Sequence, residues 1–503
     1  MTIQERLRGL APEALKGIRR GIEKESLRVR PDGSLSTTPH PQALGSALTH
    51  PHITTDFSES QLELITGVHE RVDACLEELT EIHKVVFRAI GDEVLWCASM
   101  PCNLPGDDAI PIGRYGSSNV GRAKTVYRTG LSYRYGRRMQ AISGIHYNLS
   151  MPGVTREQYF ALIRNFRRRS WLLLYLFGAS PAVCSSFVAG RSHELTALAP
   201  GTLYAPHGTS LRMGRLGYQS DAQASLAVSY NSLKSYTASL YDALIEPYPP
   251  YEKIGIQVDG EYRQLNTTLL QIENEFYGTI RPKRRIRRGE RPLHALRERG
   301  VEYVEVRLMD LDPFVGVGIG AGTMRFLDVF LLHCLLDASP DDTPAEIGKI
   351  KRNQQKVALR GREPGLLLEK GEENISLGEW GLQVLVECEP IAAALDRAHG
   401  GSAFRNALLA ASVVARNPHA APSARVLDAM ARDHRNVYVR FVLAESLRHA
   451  GSLRGLPLGA GAKARFEHLA GESLEEQRRI EAGDKIDFET FRKQYLSPDL
   501  LIV

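Results

Sequence analysis

Over residues 18–30 apolar and polar side chains alternate in the manner of a β-strand, and Pro31-Asp32-Gly33 then supplies a turn. Residues 54–66 predict a second strand, with Leu62 and Leu64 on one face and Glu63 on the other. Between 68 and 90 the period changes: Val72, Cys75, Leu76, Leu79, Ile82, Val86, Phe87 and Ile90 recur at helical spacing. Alternation returns over 139–151. Residues 154–177 and 222–244 predict helices, 254–265 a hairpin around Asp259-Gly260, and 269–276 and 301–308 further strands.

Beyond about residue 323 the texture is helical, over 323–336, 344–359, 382–399, 403–415, 424–431, 439–449, 462–482 and 488–495. Breaks at 362–365, 417–422 and 451–461 carry Gly or Pro. No repeat of fixed period occurs. The pattern is a strand-containing region followed by a helical final third.

A chain of 503 residues with 43% hydrophobic content can bury a sizeable core. Lys and Arg exceed Asp and Glu by 63 − 58 = 5, a balance that suits an anionic small molecule as well as a nucleic acid. The six cysteines (Cys75, Cys97, Cys102, Cys184, Cys334, Cys388) have no metal-ligand spacing and predict reduced, mostly buried thiols. The charged start of the chain excludes a secretory signal, and the apolar run 171–179 is too short for a membrane span and predicts a core helix.

The acidic residues carry the most information. Glu23 and Glu25 lie two apart, so on a strand both point to one face. Two buried carboxylates repel unless a cation joins them, and their hard oxygens suit Mg²⁺. An isolated pair of this kind is more simply a strand edge facing water. Its company changes that: Asp56 and Glu63 on the second strand, His146 sharing a face with Asn148, and Glu305 sharing a face with Arg307. A metal ligand beside an arginine suits phosphoryl transfer, although a cross-strand ion pair explains Glu305 and Arg307 equally well in isolation.

Two basic stretches follow. Residues 121–138 hold Arg122, Lys124, Arg128, Arg134, Arg137 and Arg138 and no acid, interleaved with Tyr127, Tyr133 and Tyr135. Residues 281–291 hold Arg281, Lys283, Arg284, Arg285, Arg287, Arg288 and Arg291 against Glu290. They fit a solvated face, a nucleic-acid surface, or clamps for phosphates and carboxylates. The glycines of 316–322 lack the βαβ context of a dinucleotide loop, and no P-loop, kinase set or G-x-S-x-G elbow is present.

These residues, in this order, resemble the bacterial glutamate–cysteine ligase family. The similarity runs from about Leu15 to about Leu327, with near-literal segments such as Gly21-Ile22-Glu23-Lys24-Glu25-Ser26-Leu27-Arg28, Ser143-Gly144-Ile145-His146-Tyr147-Asn148, Gln271-Ile272-Glu273-Asn274-Glu275 and Glu302-Tyr303-Val304-Glu305-Val306-Arg307. The resemblance implies an α+β fold like glutamine synthetase, a strongly bent antiparallel sheet forming a funnel flanked by helices. Residues 1–330 would form the catalytic funnel and 331–503 a mainly helical region packed on it. The implied metal ligands are Glu23, Glu25, Asp56, Glu63, His146 and Glu305, for Mg²⁺ with Mn²⁺ as a substitute. Arg307 and Glu305 would be catalytic, Arg307 on the phosphate. Phe57, Tyr127, Arg128, Leu131, Gln140, Arg212, Tyr218 and Tyr277 would bind the amino acids, with Arg128 and Arg212 on carboxylates and the aromatics around the cysteine side chain.

The implied reaction is ATP-dependent ligation of the glutamate γ-carboxylate to the cysteine amine through γ-glutamyl phosphate, the first step of glutathione synthesis. The expected partners are glutamate, cysteine and ATP, with no nucleic acid and no membrane, in a cytoplasmic monomer. The rivals are a related ligase using another amine, a nucleic-acid-binding protein using the basic stretches, and a non-catalytic relative.

Overall fold

The computed structural model describes residues 2–217, 222–223, 226–287 and 289–501. At its centre lies a 7-stranded antiparallel sheet. Its strands are β1 (Arg19–Val29), β2 (Ile53–Thr55), β3 (Gln61–Ile65), β4 (Val94–Leu95), β5 (Ile145–Ser150), β6 (Ile280–Lys283) and β7 (Tyr303–Met309). They pair in the order β6-β7-β5-β1-β3-β2, with β4 on the end of β1. The helices used below are α1 (Val72–Ala89), α2 (Asn119–Tyr135), α3 (Arg156–Arg169), α4 (Ala321–Leu336), α5 (Pro344–Arg360), α6 (Leu377–His399), α7 (Ala403–Arg416), α8 (Tyr438–Gly455), α9 (Ala460–Ala482) and α10 (Phe488–Tyr495). The fold is α+β, with helices packed against an antiparallel sheet.

Several elements differ from the pattern. The strand over 54–66 is a hairpin, because the Gln61 amide donates to the Ser58 carbonyl at 2.8 Å and Asp56 lies in the turn. Residues 139–151 begin as a short helix, Arg137–Gln140, before β5. The helix over 154–177 breaks at Ser170 into α3 and Trp171–Phe177, a buried core helix. The helix within 222–244 starts only at Leu233, where the Ser232 hydroxyl caps the Ser235 amide. No strand forms over 269–276. Glu273 and Glu275 turn inward there to the buried Arg291 and Arg134, at 2.7 and 2.9 Å, and the backbone adopts a 3₁₀ turn. The hairpin at Asp259-Gly260 is present, with both residues at positive φ.

Cysteine pairing also departs from expectation. Cys102 and Cys184 form a disulfide, since the loop after Met100 and the strand Ala182–Cys184 bring their Cα atoms to 5.2 Å. Cys75, Cys97, Cys334 and Cys388 are buried free thiols. No helix among the described residues is long and apolar enough to cross a membrane.

β1 is buried on both faces, so even its polar residues need partners. Arg20 reaches Asp328 of α4 at 3.2 Å, and the Tyr147 hydroxyl of β5 donates to the same carboxylate at 2.7 Å. This bridge ties two neighbouring strands to the helix behind them. Asp328→Ala should destabilise the fold by about 3–5 kcal/mol in denaturant unfolding, because the Arg20 charge is left buried and unpaired. A loss below about 1 kcal/mol would contradict that role.

Candidate active site

Strand register builds the site. Glu23 lies opposite His146 of β5, and Glu25 lies opposite Glu63 of β3. Glu305 of β7 lies opposite Asn148. Side chains from four adjacent strands therefore meet on one face. His146 Nδ1 is 3.0 Å from Glu23 and 3.7 Å from Glu305, and its Nε2 is 3.4 Å from Glu25. The ligand atoms of Glu23, His146 and Glu305 all fall within 4.8 Å of one another. Glu25, Glu63 and Asp56 form the adjoining half, close enough for their charges to act on one another.

Burial, and then the charge of Asp56, pushes the Glu25 carboxyl up to about 8. Burial together with Glu23, Asp56 and Glu25 pushes Glu63 well above the usual carboxylate range. Burial acts on Glu305 in the same sense, but Lys283, Arg307, His146 and Arg281 outweigh it and hold this carboxyl well below that range. One Glu305 oxygen, Oε2, is buried without a hydrogen-bond partner among the described residues. Hard oxygens, an imidazole and an orphaned carboxylate oxygen fit a divalent cation of the magnesium kind.

Arg307 shares the face of Glu305 two residues away, beside a bulge. The pairing of β7 with β5 slips by one residue between Val306 and Met309. There the Arg307 guanidinium donates to Glu305 at 3.0 Å and lies 3.4 Å from His146 Nδ1. Arg212, only 2% exposed, donates to the Arg307 carbonyl at 2.9 Å. It lies so close to Gly144 that a Cβ there would sit 2.0 Å from its Nη2. A cavity of about 1250 Å³ opens beside Arg212, Tyr277 and Arg307.

The remaining expected residues cluster around α2. Ser118 caps this helix, which carries Tyr127, Arg128 and Leu131. Arg128 donates to the Asp56 carbonyl and lies 4.5 Å over the Tyr115 ring. Gln140 donates to the Tyr277 hydroxyl at 2.8 Å. Phe57 and Leu131 are buried. Tyr218 and Arg288 lie outside the described residues.

The pattern did not assign Lys283 a site role, yet it lies 3.5 Å from Glu305. Its signal was the alternation of Arg281 and Lys283 on β6, where Arg281 faces Glu305 across the ladder. Most other basic residues are occupied internally. Arg134 and Arg291 are buried on glutamates, Arg122 lies on Phe488 and Arg138 pairs with Asp107.

A family model described as glutamate-cysteine ligase matches residues 7–357. The chain is 47% identical to the glutamate–cysteine ligase of Alcanivorax borkumensis, covering 96% of this chain and 97% of that one. It is 48% identical to that of Pseudomonas entomophila, with 99% and 97% covered. The chain belongs to the glutamate–cysteine ligase family.

Among solved structures, the ligase of this family from Francisella tularensis in complex with AMP superposes with a TM-score of 0.91 at 38% identity, over 95% of this chain and 97% of that one. A bifunctional glutathione synthetase from Pasteurella multocida superposes with a TM-score of 0.72 at 25% identity, over 93% of this chain and 58% of that one.

A cation that joins Glu25 and Glu63 must compete with the protons that burial favours on these carboxyls. Folding takes up those protons, so this contribution to stability is full at pH below about 4.5 and is lost as pH rises towards about 8. Magnesium should therefore raise the melting temperature more at about pH 8.5 than at about pH 6.5. It should also release protons in calorimetry across buffers of unlike ionisation heat. Glu25→Gln should reduce that release; an unchanged release would remove Glu25 from the cation site.

Proposed function

We propose that this chain ligates the γ-carboxylate of glutamate to the amine of cysteine at the expense of ATP, the first step of glutathione biosynthesis. The observation that carries it is the convergence of Glu23, His146, Glu305 and Arg307 on one sheet face, beside a second acidic group and an open cavity. The AMP bound to the Francisella relative supports ATP as co-substrate.

A carboxylate is a poor acyl donor because its oxygen leaves badly. Transfer of the ATP γ-phosphoryl group to the γ-carboxylate creates an acyl phosphate and frees ADP. Two anions must approach for this to happen, so positive charge has to be waiting for them. Arg307 supplies one such charge, with its guanidinium held by Glu305. Glu23, His146 and Glu305 on one side, and Glu25, Asp56 and Glu63 on the other, would hold Mg²⁺ or Mn²⁺. The bound ions would neutralise the phosphate oxygens. Arg128 and Arg212 hold substrate carboxylates. Phe57, Tyr127, Leu131 and Tyr277 wall the pocket for the small thiol, and Gln140 fixes the Tyr277 hydroxyl. The cysteine amine then attacks the acyl carbon, the C–N bond forms and phosphate departs.

ATP, glutamate and reduced cysteine are cytoplasmic metabolites, which favours that compartment. A nucleic-acid surface is disfavoured because Arg134 and Arg291, one from each basic stretch, are paired with buried glutamates.

ATP-dependent phosphate release should be fastest with glutamate plus cysteine, against 2-aminobutyrate or ammonia. No preference for cysteine would overturn the acceptor assignment. Arg307→Ala should lower kcat by about 10²–10³-fold with little change in the KM for glutamate. A loss seen only in KM would mean that Arg307 binds substrate without assisting transfer.

A further inference from the structure

Behind α2 lies a second apolar cluster, separate from the main core. Ala123, Val126, Leu265 and Phe488 form it, and Tyr127, Tyr262 and Ile272 pack against it. Phe488 opens the last long helix, α10, and is 3% exposed. Its ring meets Tyr262 edge-on at 4.9 Å, and the Arg122 guanidinium covers it at 4.3 Å. No step of the chemistry above uses this residue.

The chain around Phe488 is fastened to the start of α2. The Ser117 amide donates to Glu481 at 2.8 Å, the Asn119 amide to Asp484 at 2.5 Å, and the Asn119 side chain to the Ile486 carbonyl at 2.9 Å. Arg492 donates to the Leu265 carbonyl at 2.5 Å, which joins α10 to the segment on the other side of the cluster. Further along α2, the lack of a side chain at Gly130 admits Gln271, whose Oε1 would lie 2.3 Å from a Cβ there. Gln271 also donates to the Tyr127 carbonyl at 3.2 Å. The helix is thus wedged at its first turns by the C-terminal segment and gripped near its middle by Gln271.

We propose that Phe488 is a positioning residue for the amine acceptor: by filling the space under Ala123 and Val126, it sets where α2 presents Tyr127 and Leu131. The proposal rests on the reading above in which those two side chains wall the acceptor pocket. Ala123, Tyr127 and Leu131 follow one another at helical spacing of four, so a tilt of the first turns is passed along that face. Loss of the ring leaves a void that the helix relaxes into only in part. The Arg128 guanidinium donates to the Lys124 carbonyl within α2 but is also pinned beyond it by the Asp56 carbonyl, and the acidic cluster stands on the sheet. The displacement is therefore felt by the acceptor more than by glutamate or ATP, and small displacements of bound groups cost rate steeply.

The test is steady-state kinetics of the full chain carrying Phe488→Leu, Phe488→Val and Phe488→Ala. The KM for cysteine should rise in that order, reaching about tenfold for alanine, while the KM values for glutamate and ATP stay within about twofold. The leucine variant should recover most of the wild-type value. Cysteine KM values that stay flat along the series, or three KM values that rise together, would overturn the proposal. Tyr127→Ala separates it from the reading beneath it. A raised cysteine KM in that variant beside a flat Phe488 series would leave the pocket assignment standing and remove only Phe488. An unchanged cysteine KM in Tyr127→Ala would remove both.

Discussion

Carboxylates that repel one another in a buried space set the terms for the rest of this structure. Glu25, Glu63 and Glu305 are held with Glu23 and His146 on adjoining strands of one sheet, and Asp56 joins them from the turn between β2 and β3. Such a group is unfavourable in a low-dielectric interior unless protons or cations balance it. The protein uses both answers. Burial and mutual repulsion push the Glu25 and Glu63 carboxyls up and so favour protons on them, and the fixed charges of Lys283, Arg307 and Arg281 hold the Glu305 carboxyl low. Glu305, whose carboxyl is held low, lies beside the arginine, and Glu25 and Glu63, whose carboxyls are pushed up, lie on the side of β3. That division leaves a site whose charge is completed only by what enters it.

The antiparallel ladder meets this constraint with short-range means. Register alone sets Glu23 against His146 and Glu25 against Glu63, without any long loop. Alternation along β7 brings Arg307 to the same centre as Glu305, next to a one-residue bulge. Behind the sheet, Arg20, Asp328 and Tyr147 bind the strands to α4, so the acidic residues stand on a rigid support. The amino-acid side is built differently. The residues expected there lie on α2 and on loops, and distant parts of the chain, α10 among them, pack against that helix.

Legibility followed the same division. The alternation around Glu23, Glu63, His146 and Glu305 was visible because strands impose period two, and the C-terminal helices were visible because their apolar stripes repeat at helical spacing. The reading failed where side chains were drawn inward by partners far away in sequence. Glu273 and Glu275 look like parts of a strand but serve buried arginines, which curls the backbone into a turn. Asp56 looks like a strand residue but occupies the hairpin turn between β2 and β3. Cys102 and Cys184, 82 residues apart, carry no local sign that they will meet.

The sequence by itself determined the chemistry on offer. Alternating acids, a histidine and an arginine on strands can serve a cation and a phosphate, and the quoted motifs assigned the family. Only the tertiary structure decided how those groups are charged and which cations serve the site. Register, a bulge and burial act across strands, and none of them has a period that one segment of chain can display. The tertiary structure also brought the end of the chain beneath the helix that carries Tyr127, because burying Phe488 needs a surface that α2 and the residues near Leu265 make only together.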